Sequence, residues 1–197
     1  DNYSVAADFS TIALIFIMFY GGFGTNWKET RSVAPQAIVL STLGTVITAG
    51  LTALFCRLAL GMSWLSSLLV GSVVCSTDAA SVFGILRSQK MKLKGGLAPL
   101  LEMESGSNDP TSYMLTMISV SLLTGSSGDP IWLMLLKQVA LGLGVGLAIG
   151  SLSVWLVHRV RLEADGFYSL YVAAVAILAY ALCDILGGNG FLCVYLV

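Results

Sequence analysis

Apolar residues in this chain are gathered into long blocks, neither alternating as in a barrel strand nor spaced along one helical face. Six blocks stand out, at about 9–23, 36–58, 64–86, 97–124, 131–157 and 167–186, each bounded by polar or charged residues, and a seventh begins near residue 190. Crossing a hydrocarbon core of ~30 Å takes about 20 residues at 1.5 Å rise each. Five of the blocks meet that length and the first is short. Within lipid every backbone polar group needs an internal partner, which only helices and closed barrels supply, and the runs lack barrel alternation. The pattern predicts an all-α polytopic membrane protein, a single transmembrane domain with about six complete spans and the start of a seventh.

Composition agrees. Of 197 residues 56% are hydrophobic and 11% charged, where a soluble domain carries roughly 25% charged residues. A soluble enzyme is excluded, and so is a disordered chain. The net charge of −1 gives no reason to expect a nucleic-acid partner, and no cofactor is implied. Cys56, Cys75, Cys183 and Cys193 have no metal-type spacing and lie in or beside apolar runs, so they are expected to be packing thiols. The absence of an initiator Met, and an end at Leu196-Val197 inside an apolar run, lead to the expectation of a piece of a larger transporter. The first block lacks a basic leader, with Asp1 and Asp8 before it, so a cleaved signal peptide is not expected.

Orientation follows from the loop cations. One set of loops holds Lys28, Arg31, Arg87, Lys90, Lys92, Lys94, Arg159 and Arg161, eight in all, and the other only Arg57 and Lys137. The Arg87–Lys94 loop is therefore expected in the cytoplasm and Asp1 outside.

A few polar groups fall at membrane depth, where an ionisable side chain costs at least ~2.5–3.5 kcal/mol and normally lines a pathway or has a partner. Asp78 sits mid-block in Cys75-Ser76-Thr77-Asp78-Ala79-Ala80-Ser81, and Glu104 and Asp109 lie in Glu104-Ser105-Gly106-Ser107-Asn108-Asp109-Pro110. Ser76-Thr77-Asp78 is a run of N-capping residues. It suits a broken helix of the kind secondary transporters place at mid-membrane, or else an unbroken span whose hydroxyls bond back to the preceding turn. In the next block Glu104 shares a helical face with Asn108 and Ser105 with Asp109, Gly106 thins the helix, and Pro110 frees a carbonyl. Carboxylate, amide, hydroxyl and loosened backbone oxygens then lie near one depth, a donor set for a hard cation such as Na⁺ or K⁺. Proton and metal ion compete for the Asp109 oxygens. If the site opens to one side at a time and moves only when occupied, that competition is counter-transport.

Ser-Thr-Asp-Ala-Ala on one span and Glu-Ser-Gly-Ser-Asn-Asp-Pro on the next resemble NhaP-type antiporters of the monovalent cation/proton exchanger superfamily, above all the bacterial potassium/proton antiporter branch. Phe19-Tyr20-Gly21-Gly22-Phe23 and Gly187-Gly188-Asn189-Gly190-Phe191 extend the likeness over the whole chain. The resemblance implies exchange of a monovalent cation for H⁺ and a place in the bacterial inner (cytoplasmic) membrane. It also implies an NhaA-like fold of discontinuous crossed helices and inverted repeats, with a dimerisation domain and hence a homodimer. By position, Asp109 matches the exchanging carboxylate, Asn108 its partner in electroneutral exchange, and Ser105 an ion-holding hydroxyl. Thr77 matches a contributor of backbone oxygen, Asp78 an acid beside the break, and Glu104 a structural acid that pairs with an Arg on a later span. Tyr20 stands where the family usually has an acid, which bears on ion preference.

An intramembrane aspartyl protease using Asp78 and Asp109 would need a shared proton, but Asn108 and the missing Gly-x-Gly-Asp context fit badly. A serine rhomboid lacks its Gly-x-Ser-x-Gly, and His158, the only histidine, is expected at a basic helix end. A channel or organic-anion transporter of related fold is the remaining rival. Gly142, Gly144, Gly146 and Gly150 are expected to form a helix-contact face, and Asp184 to be hydrated or at an ion entrance.

Overall fold

The computed structural model describes residues 2–88, 93–125, 130–159 and 165–197. Lys90, Lys92 and Arg161 of the expected cytoplasmic loops lie outside the described residues. All regular structure among the described residues is helical. Helix α1 covers Tyr3–Phe23, a one-turn α2 Trp27–Thr30, α3 Ala34–Val39 and α4 Thr45–Ala59, with a π-helical turn, Leu40–Gly44, joining the last two into one rod. Then come α5 (Trp64–Val74), α6 (Ala79–Ser88), α7 (Leu97–Thr124), α8 (Ile131–Arg159), α9 (Asp165–Ile185) and α10 (Gly190–Leu196).

Four helices are long and apolar enough to cross a membrane: Tyr3–Phe23, Ala34–Ala59, Ile131–Arg159 and Phe167–Ile185. The first differs from the sequence expectation. Its apolar block looks short, but the helix starts six residues earlier, because exposed polar residues such as Ser4 and Asp8 continue a helix once it leaves the hydrocarbon; its 21 residues reach about 32 Å. The π-helical turn is also new. Ser41 and Thr42 hydroxyls both donate to the Ile38 carbonyl, Thr45 Oγ1 to Ser41 and Thr48 Oγ1 to Gly44, so hydroxyls share the acceptors of a loosened turn.

The third block is broken. Helix α5 stops at Val74, residues 75–78 are non-helical, and α6 starts at Ala79. Helix α7 runs unbroken for 28 residues through Pro110, between Gly96 and Gly125, whose φ values of 75° and 65° are left-handed and favour glycine at both ends.

The chain forms two compact units, Thr25–Leu135 and Asp1–Gly24 with Leu136–Val197. In the first, α5 packs between α4 and α7. Backbones touch there: a Cβ on Gly71 would stand 2.3 Å from the Ala49 carbonyl oxygen. The buried face of α7 is Ser105, Gly106, Asn108, Pro110, Thr111, Ser112 and Ser119, while Leu101, Met117, Val120 and Leu122 are exposed. With small and polar residues inside and large apolar ones outside, α7 joins its neighbours by close fit and hydrogen bonds.

In the second unit, Gly142, Gly146 and Gly150 of α8 are buried against α10, at Leu192, Cys193 and Val197. Gly144 is exposed with nothing near its Cβ position. It does not join that face, because two residues turn a helix by about 200°. Asn189 is fully buried and caps α10, its Oδ1 accepting from Leu192 N at 3.0 Å and its N–H reaching the Gln138 carbonyl at 3.1 Å. All four cysteines are buried and free.

Candidate functional site

The interruption at 75–78 places three polar residues, Ser76, Thr77 and Asp78, side by side without a helix to absorb their backbone groups. Asp78 lies at the mouth of α6. Its Oδ1 accepts from the amides of Ala80 (3.1 Å) and Ser81 (3.3 Å), and its Oδ2 from the Ser81 hydroxyl. This is an N-cap, with a negative charge on the positive end of the helix dipole. The carboxylate is exposed among the described residues, and Asp78 finds its partners in the first turn of α6.

Thr77 turns to α7. Its hydroxyl lies 2.9 Å from Ser105 Oγ and accepts from Asn108 Nδ2 at 2.6 Å. The same nitrogen donates to Glu104 Oε1 at 3.1 Å, so the pair expected on one face, Glu104 and Asn108, is joined. A carboxylate only accepts, so the Asn108 amide must present its nitrogen there. Asn108 is 1% exposed, and its Oδ1 is buried without a hydrogen-bond partner. A buried acceptor without a donor costs about 1–3 kcal/mol, and this one is open to a cation or a donor from outside the chain.

Asp109 follows, half-buried. Its carboxylate hydrogen-bonds with the Ser76 side chain, with the carboxylates of Asp78 and Glu104 in electrostatic range. Ser105 pairs with Thr77 across the two helices. Ser76 is the residue that sequence reasoning left out of the site, although it belongs to the same capping run. A cavity of about 380 Å³ adjoins the break, lined by Thr45, Thr48, Ser76, Thr77 and Glu104 among others, roomy enough for a hydrated ion to approach.

Among the described residues no group of three His, Cys, Asp or Glu side chains is placed to hold a metal. The oxygens gathered here are hydroxyl, amide and carboxylate, hard donors of low total charge. Asp184 and His158 lie in the other unit, both exposed; His158 Nδ1 is 2.7 Å from the Val154 carbonyl at the end of α8. Tyr20 is 56% exposed on α1.

The sequence pattern of the sodium/hydrogen exchanger transmembrane family matches residues 4–197. The chain is 39% identical over 198 residues to a K(+)/H(+) antiporter NhaP of Alkalimonas amylolytica, covering all of this chain and 34% of that protein. It is 36% identical over 201 residues to a K(+)/H(+) antiporter NhaP2 of Shewanella baltica, with the same coverage. An Na(+)/H(+) antiporter NhaS2 of Synechocystis is 30% identical over 151 residues, 75% of this chain and 27% of that protein. The chain thus spans about a third of the length of these first two curated relatives.

Proposed function

The chain belongs to the sodium/hydrogen exchanger family, and on that premise we propose that it forms part of a secondary antiporter exchanging K⁺ or Na⁺ for H⁺ across the bacterial cytoplasmic membrane. The observation that carries this reading is the unpaired, buried Asn108 Oδ1, one residue from the Asp109 carboxylate and on the same side chain that grips Thr77. A dehydrated alkali ion gains oxygens from Asp109, Asn108, Ser105 and Thr77, and satisfies the orphaned acceptor.

Exchange follows from one carboxylate. With Asp109 ionised, the cation is held by charge and by neutral oxygens; with Asp109 protonated, the charge is gone and neutral oxygens alone do not replace the ion's water. Each side of the membrane therefore loads a cation or a proton. Alternating access, in which an empty charged site does not cross, converts the competition into obligatory exchange. Asp78 supports the site by capping α6, and Glu104 by orienting Asn108. The working unit is a homodimer, following the family resemblance.

Full-length protein in vesicles with a pH-sensitive dye, given K⁺, Na⁺ or Li⁺ with and without a membrane potential, tests the proposal. Cation-dependent proton movement that is indifferent to the potential is expected. Cation flux without proton movement contradicts it and favours a channel.

A further inference from the structure

Resting on that reading, we propose that Ser112 is a positioning residue for exchange: its hydroxyl ties the loose end of α5 to α7 and so sets where Thr77 stands against Ser105 and Asn108. In an unbroken helix the Ser72 carbonyl accepts from the amide of residue 76, but α5 ends at Val74. That carbonyl accepts instead from Ser112 Oγ at 2.7 Å, buried, with the Cys75 thiol a weaker donor at 3.1 Å. Ser72 and Ser119 hydroxyls meet at 3.1 Å further along the same seam. Ser72, Ser112 and Ser119 are all buried, where a bare carbonyl has no water to turn to.

The spacing on α7 makes one device of Ser105, Asn108 and Ser112, while across the seam Ser119 meets only the Ser72 hydroxyl, two turns beyond Ser112 and away from the break. Ser105, Asn108, Ser112 and Ser119 follow at intervals of three, four and seven, a single helical face, and all four are buried. The first two hold Thr77, and the third holds Ser72, five residues before it. Helix α7 thus grips the interrupted span on both sides of residues 75 and 76, so the Thr77 oxygen is presented at a fixed place and not on a free end. On the far side Gly71 is pressed on the Ala49 carbonyl, which leaves α5 no room to retreat. Ser112 stands one turn beyond Asn108 and bonds to the Ser72 carbonyl, so it acts through the backbone of the break.

The test compares Ser112→Ala, Ser112→Thr and Ser119→Ala in full-length protein. Ser112→Ala should raise the KM for the cation about five- to tenfold, the factor for one hydrogen bond, shift the K⁺-to-Na⁺ preference and leave Vmax within about twofold. Ser112→Thr, keeping the hydroxyl, should restore KM. Ser119→Ala should lower the melting temperature without moving KM. Unchanged KM and ion preference in Ser112→Ala overturn the proposal even if stability falls. Should that variant not fold, Ser112→Cys keeps a weak donor and should give an intermediate KM; a wild-type KM overturns the proposal. Backbone hydrogen exchange over residues 75–81 should rise in Ser112→Ala and not in Ser119→Ala, and this readout is independent of transport. Equal exchange refutes the positioning role, whereas a wild-type protein with no exchange of any alkali cation refutes the functional reading alone.

Discussion

Replacing Asn108 by Ala separates what the amide does for the fold from what it does for the ion. Its nitrogen makes two bonds, to Thr77 Oγ1 and to Glu104 Oε1. The neutral one contributes about 1 kcal/mol and the one to the carboxylate about 1.5–3 kcal/mol. Against that, truncation removes the unpaired Oδ1 and relieves a burial penalty of about 1–3 kcal/mol. The ion-free protein should therefore lose little, on the order of 0–3 kcal/mol. Ion binding should suffer more plainly, because Oδ1 is one of its ligands: a loss of about 1–3 kcal/mol weakens the Kd roughly five- to 150-fold. Thermal melting of the purified protein over a K⁺ and Na⁺ titration, with choline as control, reads this directly. At 100 times Kd a bound ion stabilises by about 2.7 kcal/mol, and a 100-fold weaker site keeps about 0.4 kcal/mol. If Asn108→Ala melts lower but retains the full cation-dependent rise, Oδ1 is not a ligand and the reasoning fails.

Asp78→Ala should cost about 0.5–2 kcal/mol as a lost helix cap, seen in the melting temperature, whereas Asp78→Asn keeps an acceptor for Ala80 and Ser81 and should exchange more nearly as wild type. Gly71→Ala drives a methyl into the Ala49 carbonyl and should destabilise by about 1–3 kcal/mol; Gly84→Ala, with open space at its Cβ position, should not, and equal melting losses would mean the α4–α5 approach is not tight. Competition sets a sign for pH. As pH falls the protonated fraction of Asp109 grows, so the apparent KM for the cation on that side should rise, at most tenfold per unit, in initial-rate assays; a flat KM would mean separate sites for proton and cation.

Much of this was legible because lipid leaves few choices. Block lengths and the missing strand alternation indicate helices, and of the two readings open for Ser76-Thr77-Asp78, a break or a continuous span, the structure shows the break, at 75–78. Hydropathy marks where hydrocarbon ends and not where a helix does, so the start of α1 at Tyr3 was out of its reach. The π-helical turn depends on which carbonyl each hydroxyl of Ser41, Thr42 and Thr45 selects, a choice made by local geometry. The buried stripe Ser105, Asn108, Ser112 and Ser119 was present in the spacing, but a serine in a membrane helix usually bonds to its own preceding turn. What sets Ser112 apart is a free carbonyl on another helix. Likewise Ser76 sits in a visible motif, and only the fold brings it to Asp109.

The account stands most directly on Asp109. Purified full-length protein in vesicles, carrying Asp109→Asn and compared with wild type at matched insertion and melting temperature, isolates that carboxylate. Addition of K⁺ or Na⁺ should move protons in the wild type and none in the variant, which lacks the carboxylate that trades a proton for the cation. Proton movement at the wild-type rate in Asp109→Asn would place the exchanging group elsewhere.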